Sequence, residues 1–322
     1  MTILIWISFV FLVMAVIVVD LGVFQRESVA FTSRQAMKRC GVLFALTLLF
    51  NVYIYFLYET NWLGWGVTSI LDLNGREAAT LFFTGYLIEL SLSVDNVFVF
   101  AIIFELLRVP QQYQHRVLFW GVLGAIILRG IMIAVGVVLI TRFYWMSYVF
   151  GIILLVSAAR MLALRSELSE EDIGPIRYIR KLFPVTAQYH GTHFFVRENA
   201  RLLATPLFVA LVVVEWTDLI FALDSIPAIF AITTDPFLIF TSNIFAILGL
   251  RSLYFLVANL MNQLRYLKTT LVFILMFVGI KMILHHHVDI PNLISLGVIA
   301  GSLMVGVVAS LWAARFAKRA AR

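Results

Sequence analysis

A single cysteine, Cys40, among 322 residues excludes an intrachain disulfide framework, and no Cys/His spacing of a structural zinc module is present. Charge is scarce as well: 13% of the residues are charged, about half the share in ordinary soluble domains. The hydrophobic fraction is 62% and the mean hydropathy +0.98, which together describe a polytopic membrane protein. Residues 2–23 have no positively charged leader and no small-residue cleavage site, so they are expected to stay as a first span. The long apolar runs lack the alternation of a barrel strand, and in lipid each segment must satisfy its own backbone. The expected fold class is therefore all-α, a transmembrane helical bundle.

Crossing a hydrocarbon core of about 30 Å takes roughly 20 apolar residues as helix. On that basis nine spans fall near 2–23, 40–58, 80–104, 117–140, 145–163, 204–231, 238–260, 269–286 and 291–314. Arg and Lys crowd alternate loops: Arg26, Arg34, Lys38 and Arg39; Arg108 and Arg116; Arg165 to Arg201; Arg265 and Lys268; and the last residues, including Arg315 and Lys318. The intervening loops hold only Arg76 and Arg142. The positive-inside rule then puts the N-terminus outside and the C-terminus in the cytoplasm. Most of the +6 net charge serves this topology, and no nucleic-acid partner is expected.

Two stretches of three spans read as copies of one unit. SVDNVFV (93–99) aligns with ALDSIPA (222–228), GAIILRGI (124–131) with AILGLRSL (246–253), and SAARML (157–162) with FVGIKMIL (277–284). An odd number of spans per copy turns the second upside down, the inverted repeat of many secondary transporters. The chain is thus divided into repeat one (80–163), a cytoplasmic loop with an interfacial helix (164–203), an inverted repeat two (204–286) and a last span (291–314), all within one membrane domain. In the loop, PIRYIRKLF places Ile176, Ile179 and Phe183 on one helical face, which suits an anionic leaflet.

Five carboxylates lie deep inside spans, away from the span ends where Asp20 falls: Glu89, Asp95, Glu215, Asp218 and Asp224. Unpaired at mid-bilayer they would cost roughly 12 to 18 kcal/mol, so they must be paired, protonated or ligating. Arg129 and Arg251 are the central charge-balancing cations, while Arg160 and Lys281 sit nearer span ends and can snorkel. Two cations cannot balance five carboxylates, and intramembrane acids mark ion or proton pathways. Glu89 and Asp95 are about 120° apart on a helix; aiming them together with Asp224 at one point would require a break. Pro227 is expected to kink or unwind its span, and SLSVDN to unwind in a similar way. The candidate metal ligands are Glu89, Asp95, Asn96, Glu215, Asp218 and Asp224, joined by the hydroxyls of Ser91, Ser93, Thr217 and Ser225. An all-oxygen set of this kind suits Mn, Mg or Ca.

Three long strings carry a family likeness: TGYLIELSLSVDNVFVF, GTHFFVRENARLLATPLF and FALDSIPAIFAITTDPFLIFTSNIFAILGLRSLYFL. They resemble the TerC family, especially its Alx-like branch, and the likeness runs from about residue 80 to 300. That resemblance implies a bacterial inner-membrane protein with a periplasmic N-terminus, linked to tellurite and alkaline stress. It also implies export of Mn2+ as transported substrate, with the acidic motifs carried onto Glu89, Asp95, Glu215, Asp218 and Asp224. Where family members commonly carry His-Ile-Pro this chain has Asp289, Ile290 and Pro291, so that histidine's role does not transfer.

The expected function is therefore a divalent-cation exporter, coupled to protons, with no resident cofactor and no enzymatic activity. A membrane-bound redox modulator or a non-transporting scaffold is the alternative, although the lone Cys40 offers it little. An intramembrane aspartyl hydrolase is a third class, but its Gly-x-Gly-Asp signature is absent. The run His285 to His287 reads as a solvated turn, and Gly297 with Gly301 as a close-packing GxxxG face.

Overall fold

The computed structural model describes residues 2–24, 33–60, 73–163, 184–198, 201–258, 266–284, 288 and 290–320. Among the described residues there are nine helices: α1 (Thr2–Phe24), α2 (Ser33–Glu59), α3 (Gly75–Leu106), α4 (Gln111–Arg142), α5 (Met146–Ala163), α6 (Pro206–Phe230), α7 (Pro236–Ala258), α8 (Leu267–Leu284) and α9 (Asn292–Ala320). A short antiparallel hairpin, β1 (Phe195–Glu198) and β2 (Arg201–Ala204), precedes α6 with Phe195 opposite Ala204. The expected spans match these helices to within a few residues at most ends, because uninterrupted apolar length decides where a membrane helix runs. Six described helices are long and apolar enough to cross a membrane; α1 and α5 carry shorter apolar stretches, 3–18 and 146–162. The hairpin was not expected from the sequence. The interfacial-helix stretch 175–183 and the run His285 to His287 lie outside the described residues.

Local chemistry sets several helix starts. Asn74 and Glu77 form a reciprocal capping box at the head of α3. Pro206 opens α6, where a missing N–H costs nothing. Asp235 caps α7, its Oδ1 accepting from the amides of Phe237 (2.9 Å) and Leu238 (3.2 Å), while its Oδ2 accepts from Tyr58 Oη at 2.9 Å. That last bond ties α2 to the mouth of α7.

The helices α3 to α8 form the packed centre. α3 lies chiefly on α7, α5 on α8, and α4 on α6, with α2 and α9 set against them. Gly151 and Gly279 let α5 and α8 approach closely: a Cβ at Gly279 would lie 3.1 Å from the Gly151 carbonyl. α1 docks through Trp6 and Phe9 on Phe237 and Phe240, with ring centroids 5.2 to 5.9 Å apart. Helix α4 shows the arrangement expected in lipid: Ile127, Ile131, Val135 and Val138 are exposed on one side, and Ala125, Arg129, Ile133 and Gly136 are buried on the other. Gly297 and Gly301 behave otherwise than their spacing suggested. An added Cβ at either meets nothing within 4 Å, so among the described residues the GxxxG face packs against no helix.

Candidate functional site: a buried arginine–carboxylate cluster

The most enclosed polar group of the bundle gathers on Arg129. Because α4 turns Arg129 inward, its guanidinium is 1% exposed and reaches three other helices. Nε and Nη2 donate to Asp218 of α6, at 3.3 Å to Oδ2 and 3.0 Å to Oδ1, the parallel fork geometry that suits a carboxylate. Nη1 donates to Glu89 of α3, to Ser225 Oγ of α6 (3.2 Å) and to Asn243 Oδ1 of α7 (3.0 Å). Glu89 and Asn243 are 0% exposed, Ser225 2% and Asp218 3%. One cation thus faces two carboxylates in a site closed to water. Glu89 Oε2 is buried and accepts no hydrogen bond among the described residues. A buried carboxylate oxygen without a hydrogen bond is costly to enclose.

The other sequence candidates are distributed around this cluster. Glu215, one turn before Asp218, is half-buried with Oε2 enclosed and unbonded among the described residues. Its carboxylate lies over Gly124 of α4, so any side chain at that glycine would collide with it. Asp224 is apart: it accepts from Ser157 Oγ of α5 at 2.5 Å and has Arg160 as a charged neighbour. Asn96 is 3% exposed inside the bundle, and Arg251 of α7 is buried at 6%. The Asp95 side chain lies outside the described residues. Among the described residues, no group of three or more His, Cys, Asp or Glu converges as a metal cage.

The expected unwinding of the backbone is corrected at both places. α3 is unbroken through Ser91 to Asn96, and α6 runs on past Pro227 to Phe230. In α3 the hydroxyl of Ser91 satisfies itself on Leu87 and Ile88 carbonyls of its own helix, which removes one drive to unwind. In α6 the proline comes one turn before the end, where Ala231 N already closes on the Pro227 carbonyl at 3.1 Å. Thr217 likewise bonds its own helix, at Val213. Lys281 does not snorkel: it is 4% exposed and donates to Ser295 Oγ of α9 at 2.8 Å. Asn243 and Ser157 were not among the sequence candidates. Asn243 sits in an apolar span with no neighbouring charge to mark it, and Ser157 was read only as part of the repeat string SAARML beside Arg160.

A membrane-embedded helical bundle that encloses an ion-pair cluster at its centre defines the class: a polytopic integral membrane protein with ionised groups in its core. The profile of the integral membrane protein TerC family matches residues 74–318, and the chain belongs to that family. A membrane protein of unassigned role from Myxococcus xanthus is 45% identical over 313 residues, covering 97% of this chain and 93% of the relative. A Salmonella typhi protein, provisionally named membrane-bound redox modulator Alx, is 45% identical over 318 residues, with coverage of 96% and 94%. A Rickettsia bellii membrane protein is 39% identical over 307 residues, with coverage of 95% and 96%. No solved structure matches significantly.

Proposed function

We propose that this chain exports a divalent cation across the bacterial inner membrane in exchange for protons, with Mn2+ as the ion. The observation that carries the reading is the convergence of Glu89, Asp218, Ser225 and Asn243 from α3, α6 and α7 on one buried cationic position. Carboxylate, hydroxyl and amide oxygens are the donors that hard divalent ions take, and no sulfur or imidazole intrudes. The family resemblance is what selects Mn2+ from that class. The carboxylates that release the ion are also the groups able to carry protons back. Asn96, Glu215 and Asp224 line the route around the central pair in this reading, with Asp95 assigned by its motif alone and Arg251 as the second balancing cation.

An inverted repeat accounts for the architecture. Exchanging α3 with α6, α4 with α7 and α5 with α8 maps the α3–α7 packing onto α6–α4, and maps α5–α8, α4–α7 and α3–α6 onto themselves; all these pairs are in contact. Glu89 and Asp95 then correspond to Asp218 and Asp224, at the same spacing along their helices. Alternating access would rock one triplet against the other around the cluster, with the N-terminus periplasmic and the C-terminus cytoplasmic.

The redox role in the name of the Salmonella typhi relative would ask for a reactive group, and the chain offers the one thiol of Cys40, half-buried in α2. Cellular manganese separates the two readings. A strain lacking the protein should hold more manganese than its parent; wild type should restore the lower level and Glu89→Gln should not. Equal manganese in all strains would remove the transport reading.

A further inference from the structure

We propose that Arg129 is a tethered cation occupying the transport site, so that a divalent ion enters by displacing the guanidinium from Glu89 and Asp218. The inference rests on the reading of this cluster as a cation site. Arg129 touches oxygens only: both of Asp218, one of Glu89, and the neutral donors Ser225 and Asn243. The Ser225 and Asn243 oxygens accept from N–H groups that a buried guanidinium must satisfy, and with the carboxylates they form an all-oxygen cradle around one charge. Those four side chains supply the ligand set of a hard cation, and the guanidinium fills it.

Charge decides what can replace it. Two carboxylates against one guanidinium leave the enclosed cluster one negative charge in excess, and Glu89 Oε2 is buried without a hydrogen bond among the described residues. A monovalent ion would bring only the charge Arg129 already supplies, with fewer directed donors. A divalent ion balances both carboxylates and uses the idle oxygen, so the arginine acts as a selectivity filter by charge as well as a plug.

The displaced guanidinium has a destination. Glu215 holds a second buried oxygen without a hydrogen bond among the described residues, and its carboxylate lies against Gly124 on Arg129's own helix. Gly124 is five residues back along α4, about 7.5 Å of helix rise and about 140° of turn, so the guanidinium would sweep part-way round α4 as well as toward its N-terminus to reach Glu215. The absence of a side chain at Gly124 keeps that berth open.

Binding of Mn2+ to the purified full-length chain, followed by the shift of thermal unfolding with Mn2+ concentration, tests this. A built-in competitor lowers apparent affinity by the fraction of time it holds the site. Arg129→Lys keeps the charge but lacks the fork, and should bind Mn2+ about tenfold more tightly than wild type. Arg129→Gln, purified with Mn2+ present, should bind more tightly still. Affinity in Arg129→Lys equal to or weaker than wild type, the behaviour of an architectural pair, would overturn the proposal. If wild type neither binds nor transports Mn2+, the transport reading fails with it; if wild type transports and the lysine variant does not tighten, only the tethered cation fails. The destination is tested by coupling: Glu215→Gln should weaken Mn2+ binding in wild type and leave it unchanged in Arg129→Gln. Equal weakening in both backgrounds would show that Glu215 acts on the ion directly and contradict the swing.

Discussion

Asp218 and Asp224 stand six residues apart on one helix, yet they occupy different environments. Asp218 is 3% exposed and clasped by both edges of a guanidinium, alongside Glu89, Ser225 and Asn243. Asp224 is half-buried, held by one hydroxyl from α5 with Arg160 nearby. Helix geometry produces the divergence: six residues turn a side chain by about 120°, which takes Asp218 toward α4 and Asp224 toward α5. The comparison shows that intramembrane acids in one motif need not share one site. An acid that faces the arginine is locked into the centre, and the next one along serves a peripheral contact.

The contrast can be broken most forcefully at the centre. Asp218→Asn removes the bidentate partner of a buried arginine, a class of change that costs about 3–5 kcal/mol, and it should abolish transport; thermal unfolding in detergent and ion flux would register the two losses separately. Gly124→Ala should come next in its effect on transport. Its Cβ would displace the Glu215 carboxylate, the far end of a flexible side chain, so stability should fall by no more than about 1 kcal/mol while transport slows. At the peripheral acid, Ser157→Ala removes a hydrogen bond to a charged group, about 1.5–3 kcal/mol at most and less at a half-buried position, and it should leave central Mn2+ binding intact in the unfolding-shift assay. Tyr58→Phe, which deletes only the α2 bond to Asp235, should lower stability by about 1 kcal/mol without altering transport. Smallest of all, Gly297→Ala should be nearly silent in both stability and flux, since its added methyl meets open space among the described residues. A large effect there would point to a contact outside them.

Much of the fold was legible in the sequence because apolar length is a one-dimensional signal. Nine runs of hydrophobic residues became nine helices among the described residues, with the unmarked exposed face of α4 turned to lipid. The hairpin at 195–204 was hidden for the opposite reason. FVRENARLLA carries three charged residues and too short an alternation to separate strand from loop, and residues 184–186, which bond to Ala204 at the end of β2, lie far from any strand pattern. The candidate site was half legible. Acids and arginines inside spans stand out by their insertion cost, and Glu89, Asp218 and Arg129 do meet. The expected break at SLSVDN rested on the assumption that all five acids converge, and the one at Pro227 also on its missing N–H. Arg129 makes that convergence unnecessary, since a long side chain from a fourth position gathers one acid from each of two intact helices. Asn243 escaped notice because an amide carries no charge to mark it, and only the packing of α7 against α3 and α4 gives it a partner.

The measurement that tests the central claim most directly is Mn2+ flux in proteoliposomes holding wild type, Glu89→Gln, Asp218→Asn or Asp224→Asn, each checked for intact fold. The account predicts flux in wild type, none in the two central variants, and a reduced but measurable rate in Asp224→Asn. Wild-type flux that survives in Asp218→Asn and Glu89→Gln would contradict it.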